Sequence, residues 1–470
     1  MDYSGAKVLI MGIGLHGGGL ESARFFLRRG ASVTVTDLRD EKTLSPSIEQ
    51  LEAECRAIAC EKVRYVLGKH ETEYFQKADI VIKNPGVMPD STFLQAAKRI
   101  ETDISVFLSE SKARLFAVTG SKGKSCAASA LHWILKSTGR RSFLGGNITV
   151  SPLSFLDGLT ENDDVVLELS SWQLGDLKGR TVNGAPLLKP KAAVLTAIMP
   201  DHLDRYASME EYIDDKRNIY RGQDKTCVTV AGDDSWGASF RAETKGRPLV
   251  YSRSQPASTS GGWLNGSGFA RLYGWPGVAE DAAELVPSQL LTPGEHQKMN
   301  LLAAALAPYS LGTEAEKIRE ALAVFPGVEH RLELFHKANG IHFYNDSAAT
   351  IPEAAAACIE ALIPLGHLTL VTGGTDKKLD FSVLAKAAVK AQKVVLLAGS
   401  GSEKLMPLLA ETGVKYHGPF DNLDKAVQCA LENTASGYIV ALSPGCSSFQ
   451  MFTNEFDRGR KWKEACQRLS

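Results

Sequence analysis

The segment Phe116-Ala-Val-Thr-Gly-Ser-Lys-Gly-Lys-Ser-Cys126 constrains this chain more than any other. A β-prone run, Leu115 to Val118, leads into Thr119, Gly120 and Gly123. Lys124 and Ser125 then open a helix-prone stretch, Cys126 to Lys136. Strand, glycine turn and helix in that order build a polyphosphate cradle. Glycines let backbone N–H groups approach the phosphates, and the helix N-terminus adds positive potential. A lysine at the turn reaches the terminal phosphates, and the serine after it can hold Mg²⁺. The standard loop carries a glycine six residues before its lysine; position 118 is Val, so this loop is a shortened variant. A bare glycine turn before a helix is the competing reading. The order of strand, Gly, Gly, Lys and Ser favours ATP binding through Gly120, Ser121, Lys122, Gly123, Lys124 and Ser125.

At 470 residues the chain exceeds one ordinary core, and roughly two to four domains are expected. Its 53 basic and 54 acidic residues leave a net charge of −1, which argues against nucleic acid as a partner. No apolar run is long enough to span a bilayer, and no signal peptide is visible, so no membrane partner and a cytoplasmic location are expected. Eight scattered cysteines without a CxxC pair read as reduced thiols, neither a disulfide frame nor a zinc site.

The first hundred residues alternate strand and helix signals: strands at Lys7–Met11, Ser32–Thr36 and Ile80–Lys83, a helix at Leu20–Arg29. This βαβ pattern implies a parallel sheet. A second α/β block starts near Leu115, with strands at Val165–Leu169, Ala192–Thr196 and Cys227–Val230. The Ser/Gly-rich stretch Ala238 to Val286 reads as a loop-rich insertion with a hairpin turn at Asn265-Gly266. After a helix at Lys298–Leu306 and a linker at Pro326-Gly327, a third α/β block carries strands at Ile341–Tyr344, Leu368–Val371, Val394–Leu397 and Tyr438–Leu442.

Several groups sit where chemistry is done. Gly12-Ile-Gly14-Leu-His-Gly17, with Asp37 ending the next strand, has the spacing of a dinucleotide fingerprint. Alone it certifies only a tight turn able to hold a phosphate-bearing ligand, a nucleotide or sugar-nucleotide; Arg39 could contact a phosphate there. Glu168 ends a strand downstream of the phosphate loop, a natural place for a Mg²⁺ ligand, with a surface ion pair as the plain alternative. Asp201-His202-Leu203-Asp204 also follows a strand. Lys216 falls in the gap of the apolar stripe 209, 212, 213, 219, 220. It either snorkels or, if desolvated, becomes a nucleophilic amine able to add CO₂ and form a carbamate for a second Mg²⁺. In the third block Asp346, Gly373-Gly374-Thr375-Asp376-Lys377 and Ser443-Pro-Gly-Cys-Ser-Ser448 follow strands, and suit a carboxylate-bearing substrate and a ribose hydroxyl.

Taken together these segments resemble the Mur ligase family of cell-wall synthesis, in order and over nearly the whole chain. The resemblance also rests on Gly-Gly-Asn147, Leu-Glu168-Leu-Ser-Ser-Trp-Gln-Leu, Asp-His202-Leu-Asp-Arg-Tyr, Gly-Glu-His296-Gln-Lys-Met-Asn300, Glu-His-Arg331 and Asn-Asp346-Ser. It implies an α/β fold of three domains: 1–101, Rossmann-like and UDP-binding; 102–327, a P-loop-type ATPase domain with a mixed sheet; and 328–470, Rossmann-like and amino-acid-binding. The implied protein is a monomeric, cytoplasmic, ATP-dependent amide ligase. It would add D-glutamate to UDP-N-acetylmuramoyl-L-alanine through an acyl phosphate, releasing ADP and phosphate, for peptidoglycan synthesis, with a Mur-type ligase for another amino acid, L-glutamate included, as the alternative. An NAD(P) oxidoreductase, suggested by Gly12–Gly17 and Asp37, leaves the second glycine loop and Glu168 unexplained.

By matching position, the resemblance gives Leu15, His16, Asp37 and Arg39 to UDP, and Lys124, Gln297, Asn300, Arg331 and Asp346 to ATP. Ser125 and Glu168 would hold one Mg²⁺, and His202 with carbamylated Lys216 the second. Asn147 would approach the γ-phosphate, so that Lys124, Asn147, His202 and Lys216 form the catalytic set. Thr350, Lys377 and Ser448 would hold glutamate. The chain departs from the family at Ala348, where a phosphate-contacting Lys is usual, at Ile351, and at Lys122 and Cys126, where Asn and Thr are usual.

Overall fold

The computed structural model describes the chain except residues 1, 16, 60–61, 149, 201–204, 278–280, 293, 378, 433, 449–450 and 470. It divides into two compact units, one of Met1–Ser288 with Met299–Leu322, the other of Gln289–Lys298 with Ala323–Ser470.

The first unit contains two large sheets. Its N-terminal sheet has five parallel strands among the described residues. In spatial order they are Arg64–Leu67, Ser32–Asp37, Lys7–Met11, Ile80–Lys83 and Ile100–Glu101. Lys7–Met11 reads exposed-then-buried throughout, as a central parallel strand covered on both faces should. Helix Gly18–Arg28 packs Phe25 and Phe26 on one face, and Phe75 and Leu94 cover Leu9 and Met11 on the other. Gly19 is required here: a Cβ on it would lie 2.2 Å from Gly12 O, so only glycine lets helix and turn meet.

Among the described residues the second sheet has nine strands and centres on Arg114–Thr119, flanked by Ala192–Leu195 and Asp164–Glu168, both parallel to it. The expected loop-rich insertion is instead an extension of this sheet. Helix Ser235–Glu243 is followed by strands Arg247–Ser252, Gly261–Asn265, Ser267–Arg271 and Ala283–Val286, the last three antiparallel. The hairpin turn does fall at Gly266, with φ +69°. The two sheets meet through a buried pair, Lys83 Nζ to Asp176 Oδ2 at 2.8 Å, and a bond from Ser151 Oγ to Asp103 Oδ2 at 2.9 Å.

Among its described residues the second unit is built on a six-stranded sheet, parallel apart from the edge strand Glu333–Ala338. Ile439 and Ala441 fall in one core cluster, Val440 and Leu442 in the other. Alternate residues therefore serve opposite faces, each covered by helices, which is a doubly wound arrangement. Six described cysteines are free; Cys55 is disulfide-bonded, which corrects the expectation of uniformly reduced thiols.

Candidate functional site

The strand Arg114–Thr119 and the helix Lys124–Ser137 hold the glycine loop between them. Gly123 caps the helix at φ +89°, and a Cβ there would stand 2.2 Å from Asn300 Oδ1, so Asn300 is seated against the loop. The N–H groups of Ser121 and Lys122 both donate to Ala197 O, at 2.8 and 3.2 Å. These two loop amides are thus engaged by the exit of the neighbouring strand. The Ser125 N–H lies in the first helical turn, where no intrahelical acceptor is available. Lys124 Nζ donates to Ser121 O at 3.0 Å.

Glu168 ends the adjacent strand, in register with Val118, and is 1% exposed. Its Oε1 accepts from Asn147 Nδ2 at 2.9 Å, and Asn147 N–H donates to Glu168 O at 2.8 Å. Glu168 Oε2 is buried without a hydrogen-bond partner. A buried carboxylate oxygen left so is costly unless a cation meets it. A surface ion pair for Glu168 is therefore excluded.

Lys216, on helix Met209–Arg221, is 1% exposed and does not snorkel. Its Nζ donates to Gly120 O at 2.9 Å and lies 4.4 Å from the Tyr212 ring centroid. Tyr212 OH meets Ser121 Oγ at 2.8 Å, and Ser121 Oγ donates to Met199 O at 2.8 Å. Tyr206 packs edge-on against Tyr212 and donates to Asp215 Oδ2 at 2.9 Å; burial raises the Asp215 pKa. Gly120, Ser121, Lys124, Glu168, Asn147, Lys216 and Asn300 thus surround one loop. His202 lies outside the described residues.

In the N-terminal sheet, Asp37 braces the first glycine turn. Its Oδ2 accepts from Gly14 N–H at 3.3 Å and its Oδ1 from Arg39 N–H at 3.0 Å. Leu15 and the Arg39 side chain are exposed. His16 lies outside the described residues.

In the second unit three strand-end loops are tied together. Asp346 Oδ1 accepts from Leu332 N–H at 3.1 Å and its Oδ2 from Ser443 Oγ at 2.7 Å. Burial pushes its pKa up to about 6, opposed by those hydrogen bonds. Thr375 and Ser447 exchange backbone hydrogen bonds at 3.1 and 3.0 Å. Ser448 is buried and lines a cavity of about 10 Å³ with Gly373, Gly374 and Arg458, room for one water. Thr350 is half-buried and Lys377 exposed. Gln297 sits in the first turn of helix Glu295–Ser310, and Arg331 is exposed beside a bridge to Val328.

Two residues of these sites were not singled out in the sequence. Tyr212 stands four before Lys216 on one helix face, a spacing that marks it as a neighbour. Arg458 is 1% exposed and donates from Nε to Ser347 Oγ at 3.0 Å, from Nη2 to Ser347 O at 2.8 Å and from Nη1 to Cys446 O at 3.1 Å. Nothing in the charged run around it signals that burial.

The architecture is that of the Mur-type ligases. It corresponds to UDP-N-acetylmuramate-alanine ligase from Thermotoga maritima with a TM-score of 0.60 at 20% identity, covering 99% of this chain and 100% of that one. It also corresponds to MurF from Acinetobacter baumannii with a TM-score of 0.59 at 15% identity, covering 98% and 93%. Family models match in sequence: a MurD-like N-terminal domain at residues 6–106, a Mur ligase middle domain at 118–307, and a Mur ligase glutamate ligase domain at 330–446. UDP-N-acetylmuramoylalanine–D-glutamate ligases from Treponema pallidum and Borreliella afzelii are 38% and 37% identical to it, covering 98% and 100% of the chain and 97% and 99% of those proteins. The chain belongs to the Mur ligase family.

Proposed function

We propose that this protein is an ATP-dependent ligase that joins D-glutamate to UDP-N-acetylmuramoyl-L-alanine, in the cytoplasm, for peptidoglycan precursor synthesis. Relatives that bear this activity in their names match it end to end. The observation that carries the reading is Glu168 Oε2, a buried and unpartnered carboxylate oxygen one strand from the glycine loop. The proposed domains are 1–101, 102–327 and 328–470.

The residues fit Mg²⁺. Glu168 and Ser125 would hold one ion, and His202 with carbamylated Lys216 a second. Such an ion keeps water and phosphate oxygens in its shell beside a few protein ligands. Mg²⁺ supplies neutralisation of the charge on the phosphoryl oxygens. Lys124 adds a further positive charge at the β- and γ-phosphates, and Asn147 orients the γ-phosphate. Gln297, Asn300, Arg331 and Asp346 hold the rest of the nucleotide, Leu15, His16, Asp37 and Arg39 the UDP group, and Thr350, Lys377 and Ser448 the amino acid.

The alanyl carboxylate attacks the γ-phosphorus and the bond to ADP breaks, giving an acyl phosphate. The glutamate amine then attacks the acyl carbon, loses its proton, and phosphate departs as the amide forms. Holding three substrates in register supplies most of the acceleration.

Phosphate release with ATP, Mg²⁺, UDP-N-acetylmuramoyl-L-alanine and either D- or L-glutamate tests the reading. Release that requires D-glutamate is expected. Release with neither would overturn the acceptor and call for a panel of amino acids.

A further inference from the structure

The first unit carries a groove that the ligase reading does not use. It has a volume of about 320 Å³ and opens at the amino-terminal ends of Lys7–Met11, Ser32–Asp37 and Arg64–Leu67. That volume is at the small end for ligand pockets. The groove's nearest lining residue on Lys7–Met11, Leu9, stands roughly 10 Å of strand, at about 3.3 Å per residue, from the Gly12–Gly17 turn at that strand's other end.

Lys7, Lys62, Arg64 and Lys77 line it, and none of its lining residues among those described is acidic. That is unusual in a chain whose charges balance. Several cations elsewhere in this domain are paired: Lys69 with Glu71 at 2.8 Å, Arg28 with Glu54 at 2.7 Å, Arg99 with Glu101 at 2.9 Å. The side chains of Lys7, Lys62 and Arg64 have no ion pair or hydrogen bond among the described residues; Lys77 pairs with Glu73 at 2.9 Å. Asp79, just outside, is occupied by the Lys7 N–H at 3.0 Å and by Lys98 at 3.5 Å. The Thr34 and Tyr74 hydroxyls, also in the lining, are likewise uncommitted.

Unspent cationic and hydroxyl donors around one cavity suit an acceptor-rich anion. Glu73 and Asp79 offset part of this charge, acting on Arg64 and Lys7 from outside the lining; the cations that line the groove outnumber them, and an anion relieves the remaining repulsion. We infer that this groove is a second anion site, taking a small molecule that carries a polyphosphate.

The test is calorimetric titration of the full chain with tripolyphosphate and, separately, with ATP lacking Mg²⁺. Lys124→Ala serves as background, to weaken binding at the glycine loop. One tripolyphosphate per chain is expected to remain bound to Lys124→Ala, with affinity falling as salt rises. Adding Lys62→Glu and Arg64→Glu should weaken it at least tenfold. If charge reversal compromises folding, Lys62→Ser with Arg64→Ser, which should weaken it about threefold or more, replaces it. Equal affinity for tripolyphosphate and ATP would assign the free oxyanion. ATP binding tenfold tighter would assign a nucleotide with its base against Tyr74. No binding to Lys124→Ala, or binding indifferent to both Lys62/Arg64 pairs, would overturn the site. Lys62→Glu with Arg64→Glu in the otherwise native chain should leave phosphate release by the ligase reaction unchanged.

Discussion

A lysine amine with 1% of its residue surface exposed needs a partner, and Lys216 finds one in the Gly120 carbonyl. That bond ties the amine to the phosphate loop, where a carbamate oxygen would meet a metal ion. Lys216→Ala should therefore abolish phosphate release, and acetate or formate should restore part of it by replacing the lost oxygens. An inert variant that no short carboxylate rescues would count against the carbamate. Glu168 and Lys216 were both legible in sequence, one as a carboxylate ending a strand, the other as a cation in an apolar stripe. Asp346 was legible only as a strand-end acid. Its inward hydrogen bonds depend on Leu332 and Ser443, which are distant in sequence. Burial raises its pKa from 3.8 to about 6. The folded state then binds the proton more tightly than the unfolded chain. This stabilisation is full below about pH 4 and is lost as pH rises through 6, a change on the order of 2–3 kcal/mol. Asp346→Asn should flatten the dependence of the denaturation midpoint between pH 4 and 7.

Among elements, the glycine loop owes its shape to its neighbours. Gly123→Ala would force a side chain into a left-handed conformation and against Asn300. A loss of about 1–3 kcal/mol is expected, read as a lower melting temperature together with a raised KM for ATP. An unchanged KM would separate Asn300 from the nucleotide. The strands Gly261–Asn265 and Ser267–Arg271 show where element reading failed. A Cβ on Gly262 would stand 2.8 Å from Leu302 Cδ1, and one on Gly268 would stand 2.7 Å from Val286 Cβ. These glycines are demanded by close packing on a sheet, yet in sequence they imitate loop. The apolar strands singled out in the first and third blocks lie within a residue of their observed ends, whereas Arg64–Leu67, Ile100–Glu101, Glu333–Ala338 and Tyr416–Phe420 were not read as strands.

At the scale of the molecule, ordered motifs along the chain identified the family, whereas the packing of one sheet against another had no sequence signal. Lys83 and Asp176 illustrate this. They stand far apart in sequence and pair at 2.8 Å with side chains 3% and 10% exposed. Burial raises the Asp176 pKa, and Lys83 opposes the shift. Lys83→Met should destabilise the first unit by about 3–5 kcal/mol, because it strands a buried carboxylate. Lys83→Met with Asp176→Leu should recover most of that loss in thermal denaturation. Additive losses would show that the two side chains act separately.

The backbone of Ser121 and Lys122 is anchored to Ala197, and the Ser121 hydroxyl to Met199 and Tyr212, before any ligand arrives. A loop so fixed has no ordering step left to perform. Nucleotide capture by this loop should then be a single encounter: in stopped-flow mixing its observed rate should climb in proportion to ligand concentration, without the plateau that marks a slow rearrangement.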